Sequence, residues 1–125
     1  MILVDTSVWV DHLRRGDVQL ADLLKRAQVV MHPFVLGELA CGGLRGRATI
    51  LELLAELPPT EVADGAEVLR FIELQNLHGN GIGYVDVHLL ASVALTHGAK
   101  LWTRDKKLHA VALDLRCAFE DSAAH

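Results

Sequence analysis

Short, unbroken apolar runs punctuate this chain, and each is followed by a longer stretch whose apolar residues recur at helical spacing. Ile2-Leu3-Val4 is the first such run. Asp5-Thr6-Ser7 then supplies N-cap chemistry, and Val8, Trp9, His12 and Leu13 fall at helical spacing, predicting a strand, a tight turn and a helix through about Arg15. Gly16 is a helix stop, and Asp17 caps a second helix with Leu20, Leu23, Leu24 and Ala27 on one face. Val29-Val30-Met31 reads as the second strand. Pro33 opens a third helix, which contains Glu38 and is ended by Gly42-Gly43. Arg45-Gly46-Arg47 leads into a fourth helix ending before Pro58-Pro59, and Thr60-Glu61-Val62-Ala63 is a short strand candidate.

Asp64 caps a helix over about Ala66 to Leu77, and a glycine-rich turn follows from His78 to Gly83. Its spacing fits neither a dinucleotide fingerprint nor a Walker motif. In the next helix only Asp86, His88 and Ser92 are polar between Val85 and Leu95, so it is expected to be buried nearly all round. A carboxylate there calls for a cationic partner, because an unpaired buried charge is costly. Lys100-Leu101-Trp102-Thr103 reads as a strand, Asp105 to about Leu113 as a helix, Cys117-Ala118-Phe119 as an edge strand and Glu120 to His125 as a frayed tail. Strands alternating with helices predict an α/β sandwich around a mostly parallel sheet.

Composition narrows the class. With 125 residues, 51% of them apolar, the chain is expected to form one domain over 1–125 with a real core. Cys41 and Cys117 are too few for a disulfide framework and are read as core-filling thiols in a reducing compartment. The first apolar run is too short for a signal peptide, and no long uncharged run occurs, so a cytoplasmic protein with no membrane partner is expected. A net charge of −4 excludes nucleic-acid binding by bulk charge alone, leaving local cations or bound metal to supply the attraction.

Asp5 and Asp105 each follow an apolar run read as a strand, which places them on the rim where open parallel sheets bind ligands. Glu38 and Asp86, each among apolar neighbours on a helix, can project toward the same rim. Two bare carboxylates about 4 Å apart repel by about 4 kcal/mol at an effective dielectric of about 20, so four of them take up protons or bind cations. Carboxylate oxygens suit Mg²⁺ or Mn²⁺, and two such ions support phosphodiester hydrolysis. The seven histidines contain no His-x-His or i,i+4 pair to offer a rival site. Ser7 lacks a nucleophile elbow and is read as a cap or a hydrogen-bonding group at the site. Arg14, Arg15, Arg45, Arg47, Arg104, Lys106 and Lys107 are candidate phosphate contacts, and Trp9 is a candidate base-stacking, core or partner-facing residue.

Met1 to Asp11, Glu38 in an early helix, Tyr84 to Ala94, and Leu101-Trp102-Thr103-Arg104-Asp105-Lys106-Lys107-Leu108 together resemble the ordered motifs of PIN-domain proteins, and the chain's size is similar to that of the VapC-type toxins. The resemblance implies a three-layer α/β/α sandwich and a Mg²⁺- or Mn²⁺-dependent endoribonuclease with Asp5, Glu38, Asp86 and Asp105 as its acidic metal ligands. It also implies a catalytic contribution from Thr103 and Ser7, an RNA substrate, a cognate VapB-type antitoxin and a homodimer. Two alternatives compete: an aspartate-based phosphotransfer domain, weakened by Asp5-Thr6-Ser7 where Asp-x-Asp is wanted, and a catalytically silent RNA-binding module, weakened by the full acidic set.

Overall fold

In the computed structural model, which describes residues 1–121, β1 (Ile2–Val4) is the middle strand of a parallel sheet flanked by β2 (Val29–Val30) and β3 (Lys100–Trp102). Ile2 is in register with Val29 on one side and Lys100 on the other, and Val4 with Trp102. The helices in chain order are α1 (Thr6–Arg15), α2 (Val18–Lys25), α3 (Pro33–Cys41), α4 (Arg47–Ala55), α5 (Gly65–Gln75), α6 (Tyr84–Leu95) and α7 (Lys106–Asp114). This is the α/β sandwich that the alternation of apolar runs predicts. The chain leaves β1 for β2 on one side and later returns to β3 on the other. The carboxyl ends of β1 and β3 therefore frame the crevice in which doubly wound sheets bind ligands.

Short strands suffice because each is buried: Leu3, Val4, Leu101 and Trp102 have no exposed surface. They pack with Val8 and Trp9 of α1, Leu20 of α2, Leu39 of α3 and Leu108 of α7 in one continuous core. α6 is buried at every position from Val87 to Val93, as its nearly all-apolar sequence requires. Helix starts follow their capping chemistry. The Asp17 side chain accepts from Leu20 N–H, and Asp64 and Glu67 form a reciprocal capping box at α5. Gly16 sits at φ 75°, a left-handed conformation that lets α1 break directly into α2.

The structure corrects several expectations. Thr60–Ala63 is not a strand; the single bridge there is made by the preceding Pro59 with Met31, supported by Thr60 N–H donating to Met31 O, before Asp64 commits the chain to α5. Cys117–Phe119 is reduced to one bridge between Ala118 and Leu101, secured by Leu101 N–H donating to Cys117 O and Phe119 N–H to Leu101 O. The tail is anchored at least to Asp121, which is buried, while Ser122–His125 of the expected frayed segment lie outside the described residues. Cys41 is exposed at the end of α3 rather than core-filling, and burial pushes the Cys117 thiol up. Among the described residues no helix is long and apolar enough to cross a membrane.

Candidate active site

Asp5 occupies the first position after the central strand and is the N-cap residue of α1 by its backbone, yet its carboxylate makes no cap. That carboxylate turns to the crevice, where Oδ2 accepts from the Thr103 hydroxyl at 2.7 Å and the Ser7 hydroxyl at 3.0 Å. Thr103 follows β3 directly and is buried, so β1 and β3 bring together groups 98 residues apart in sequence. The Asp105 N–H donates to Thr103 Oγ1 at 3.1 Å and the Arg104 N–H to Ser7 Oγ at 3.1 Å. A hydroxyl that accepts from an amide keeps its proton free to donate elsewhere, and here both protons point at Asp5.

Three further carboxylates surround this pair. Asp105 caps α7, its Oδ1 accepting from Leu108 N–H at 3.0 Å. Glu38, exposed on α3, accepts from the Thr6 hydroxyl through Oε1 at 2.7 Å. Asp86, in the first turn of α6, accepts from Gly83 N–H through Oδ2 at 3.4 Å. Burial holds the Asp86 carboxyl above the ordinary carboxylate range, and the negative charges of Asp5, Asp105 and Glu38 raise it further against the opposing Gly83 N–H. All four acids thus share one electrostatic neighbourhood. The cationic partner expected for Asp86 is missing among the described residues; its neighbours are other acids.

The bonding pattern bears on cation binding. In each of the four carboxylates every protein donor falls on one oxygen: Oδ2 of Asp5 and Asp86, Oδ1 of Asp105, Oε1 of Glu38. Among the described residues four carboxylate oxygens, one on each acid, remain without a protein donor. A donor set of carboxylate oxygens in mutual repulsion fits a hard divalent cation that keeps several waters. Among the described residues no three acid, histidine or cysteine side chains converge tightly enough to enclose an ion by themselves.

The basic candidates separate. Arg104 is committed to Asp11, Asp17 and Asp121, and Arg47 donates to Ala40 O at the end of α3, so neither is the free phosphate contact that the sequence suggests. Arg15 pairs with Asp11 at 3.6 Å on the surface. Lys106 and Lys107 are exposed on the first turn of α7, and Lys107 lies against Gly81 of the glycine turn that leads into Asp86. Trp9 is 1% exposed, which rules out base stacking and partner contact and leaves the core role. Thr6 was missed as a site neighbour, because its helix-start position explained it locally. Only the packing of α1 on α3 reveals its bond to Glu38.

The PIN domain family model matches residues 2–113. Two curated relatives are each named Ribonuclease VapC32, from Mycobacterium tuberculosis strains CDC 1551 / Oshkosh and ATCC 25618 / H37Rv. Both are 46% identical to this chain over 124 residues, covering 99% of it and 100% of the relative.

Proposed function

The chain belongs to the PIN-domain family, and from that premise we infer that it is a VapC-type endoribonuclease, the toxin of a toxin–antitoxin pair, which hydrolyses RNA phosphodiester bonds. We further propose that Asp5, Glu38, Asp86 and Asp105 hold Mg²⁺ or Mn²⁺, with Ser7 and Thr103 orienting Asp5. The single observation that supports the site assignment is the Asp86 carboxyl, which burial first and then the charges of Asp5, Asp105 and Glu38 raise above the ordinary range, with no ion-pair partner among the described residues. Bound divalent ions supply a nucleophilic water and stabilise charge on the phosphate.

The chain's own residues do the rest. Thr103 and Ser7 fix one oxygen of Asp5 and leave the other without a donor among the described residues, as a ligand for the ion. Thr6 does the same for Glu38, and the helix caps do so for Asp105 and Asp86. Lys106 and Lys107 flank the crevice beside the glycine turn and are proposed to draw in the RNA backbone, with Arg14 and Arg45 as more distant contacts. The whole of 1–125 is taken as one catalytic unit, acting in the cytoplasm as a homodimer.

A VapB-type antitoxin is the proposed partner, inserting an Arg or Lys among the four acids in place of the ions. An amphipathic helix of the antitoxin is proposed to lie in the cleft of about 400 Å³ lined by Val10, Leu13, Gly42, Leu44 and Ile50. Leu13 is available there as an anchor, whereas Trp9 is not. The test is cleavage of total RNA by the purified chain with Mg²⁺ or Mn²⁺, with chelator, and by Asp5→Asn and Asp86→Asn. Chelator and both substitutions are expected to abolish cleavage. Full activity in either variant overturns the site assignment.

A further inference from the structure

We propose that Arg104 is a positioning residue for Asp5, setting the direction of the hydroxyls that hold its carboxylate. Its guanidinium reaches three carboxylates from three separate parts of the chain. Nη1 donates to Asp11 Oδ2 at 2.6 Å, Nη2 to Asp17 Oδ2 at 2.5 Å and to Asp121 Oδ2 at 3.1 Å, and Nε to Asp121 Oδ2 at 3.3 Å. The three acids come from α1, from the cap of α2 and from the segment after α7. The guanidinium also lies 5.7 Å from the centre of the buried Trp102 ring, on the last residue of β3.

This arrangement exceeds what charge balance asks. Arg104 faces three carboxylates, of which Asp11 also pairs with the surface Arg15 at 3.6 Å, so its guanidinium is fully engaged and is not free for phosphate. The fork geometry fixes the side chain in position, and the side chain fixes its own peptide. That peptide matters because its N–H donates to Ser7 Oγ, while the next N–H, of Asp105, donates to Thr103 Oγ1. Each hydroxyl, having accepted from one amide, keeps its proton and a second lone pair, and both protons are within reach of the same oxygen of Asp5. Ser7 Oγ and Thr103 Oγ1 also lie 3.5 Å from each other, a longer contact that competes for one of those protons, and the two amides hold each oxygen where the shorter bonds to Asp5 form. Arg104 thus acts on the ion site through Ser7, Thr103 and Asp5, touching neither substrate nor ion.

The kinetic part of the test rests on the ribonuclease reading above; the metal-binding part does not. Arg104→Lys keeps the charge but replaces a planar five-donor fork with a point donor that cannot span three carboxylates. In the full chain it is expected to melt cooperatively and to bind Mn²⁺, titrated calorimetrically, about tenfold more weakly than wild type. kcat on a short RNA is expected to fall about tenfold with KM little changed. Asp11→Asn, which removes one anchor and stands outside the four acids, is expected to move both readouts in the same direction by less, and it carries the test if Arg104→Lys does not fold. In a Ser7→Ala background, Arg104→Lys is expected to add little further loss of Mn²⁺ affinity, since the two residues act in series. Additive losses overturn the proposal. So does a fall in melting temperature with Mn²⁺ affinity unmoved, which marks a purely structural clamp, or a raised KM with kcat unchanged, which marks an RNA contact. A wild-type chain that binds Mn²⁺ in an Arg104-dependent way without cleaving RNA sinks the ribonuclease reading and upholds this one.

Discussion

Asp86 is where repulsion among the four acids is most readable. Its carboxyl is raised first by burial and then by Asp5, Asp105 and Glu38, while the unfolded chain ionises near the ordinary value of 3.8. The folded protein therefore holds that proton more tightly. The resulting stability is complete below the unfolded value and is lost as pH rises through the raised folded one. Asp86→Asn stays neutral at every pH, so in metal-free protein its melting temperature is expected to exceed wild type by a few degrees at neutral pH, the gap closing under strong acid. Thermal melts across pH read this directly. His32 works in the opposite sense. It is fully buried, accepts from Phe34 N–H at 3.0 Å through Nδ1, and is held down to about 4 by burial and by the neighbouring His88, itself lowered by burial. An unfolded histidine protonates near 6.5, so this contribution is intact above that pH and is lost as pH falls toward 4, by at most about 3 kcal/mol. His32→Asn keeps an acceptor for the Phe34 N–H, and its urea midpoint is expected to vary less than wild type over that window.

At the scale of elements, α5 carries none of the four acids and is started by the mutual capping of Asp64 and Glu67. Asp64→Ala is expected to cost about 1 kcal/mol of unfolding free energy in urea while leaving kcat unchanged. A loss of activity in that folded variant shows that α5 is coupled to the crevice. Most elements were legible in the sequence because their signals are local: Gly16 after α1, Pro33 at the start of α3, Asp64 before α5, the apolar run of α6. Thr60–Ala63 and Cys117–Phe119 were overread, since a few β-branched or apolar residues do not specify a partner strand, and pairing depends on what the rest of the fold leaves beside them. Asp5 and Asp105 could be placed on one rim by the sequence because each comes just past an apolar run: Asp5 directly after β1, Asp105 three residues after the end of β3. The bond from Thr6 to Glu38 and the three partners of Arg104 could not, because they join residues between 17 and 93 positions apart and only tertiary packing decides them.

For the whole molecule, a ligand that binds only the folded state stabilises it by mass action, by about 2.7 kcal/mol at one hundred times its dissociation constant. Mn²⁺ is therefore expected to raise the wild-type melting temperature in a concentration-dependent way, and Asp5→Asn to abolish the rise. A metal-independent melting temperature counts against an ion site shared by the four acids. The sheet order adds a consequence in time. Asp5 and Thr103, bonded across β1 and β3, stand 98 residues apart. At about 5–20 residues per second, roughly 5–20 s of synthesis separate them. A nascent chain exposes Asp5 first and has no Thr103, Arg104 or Asp105 to set it until those residues have been made. The geometry that holds Asp5 is thus set only after the third strand has been made.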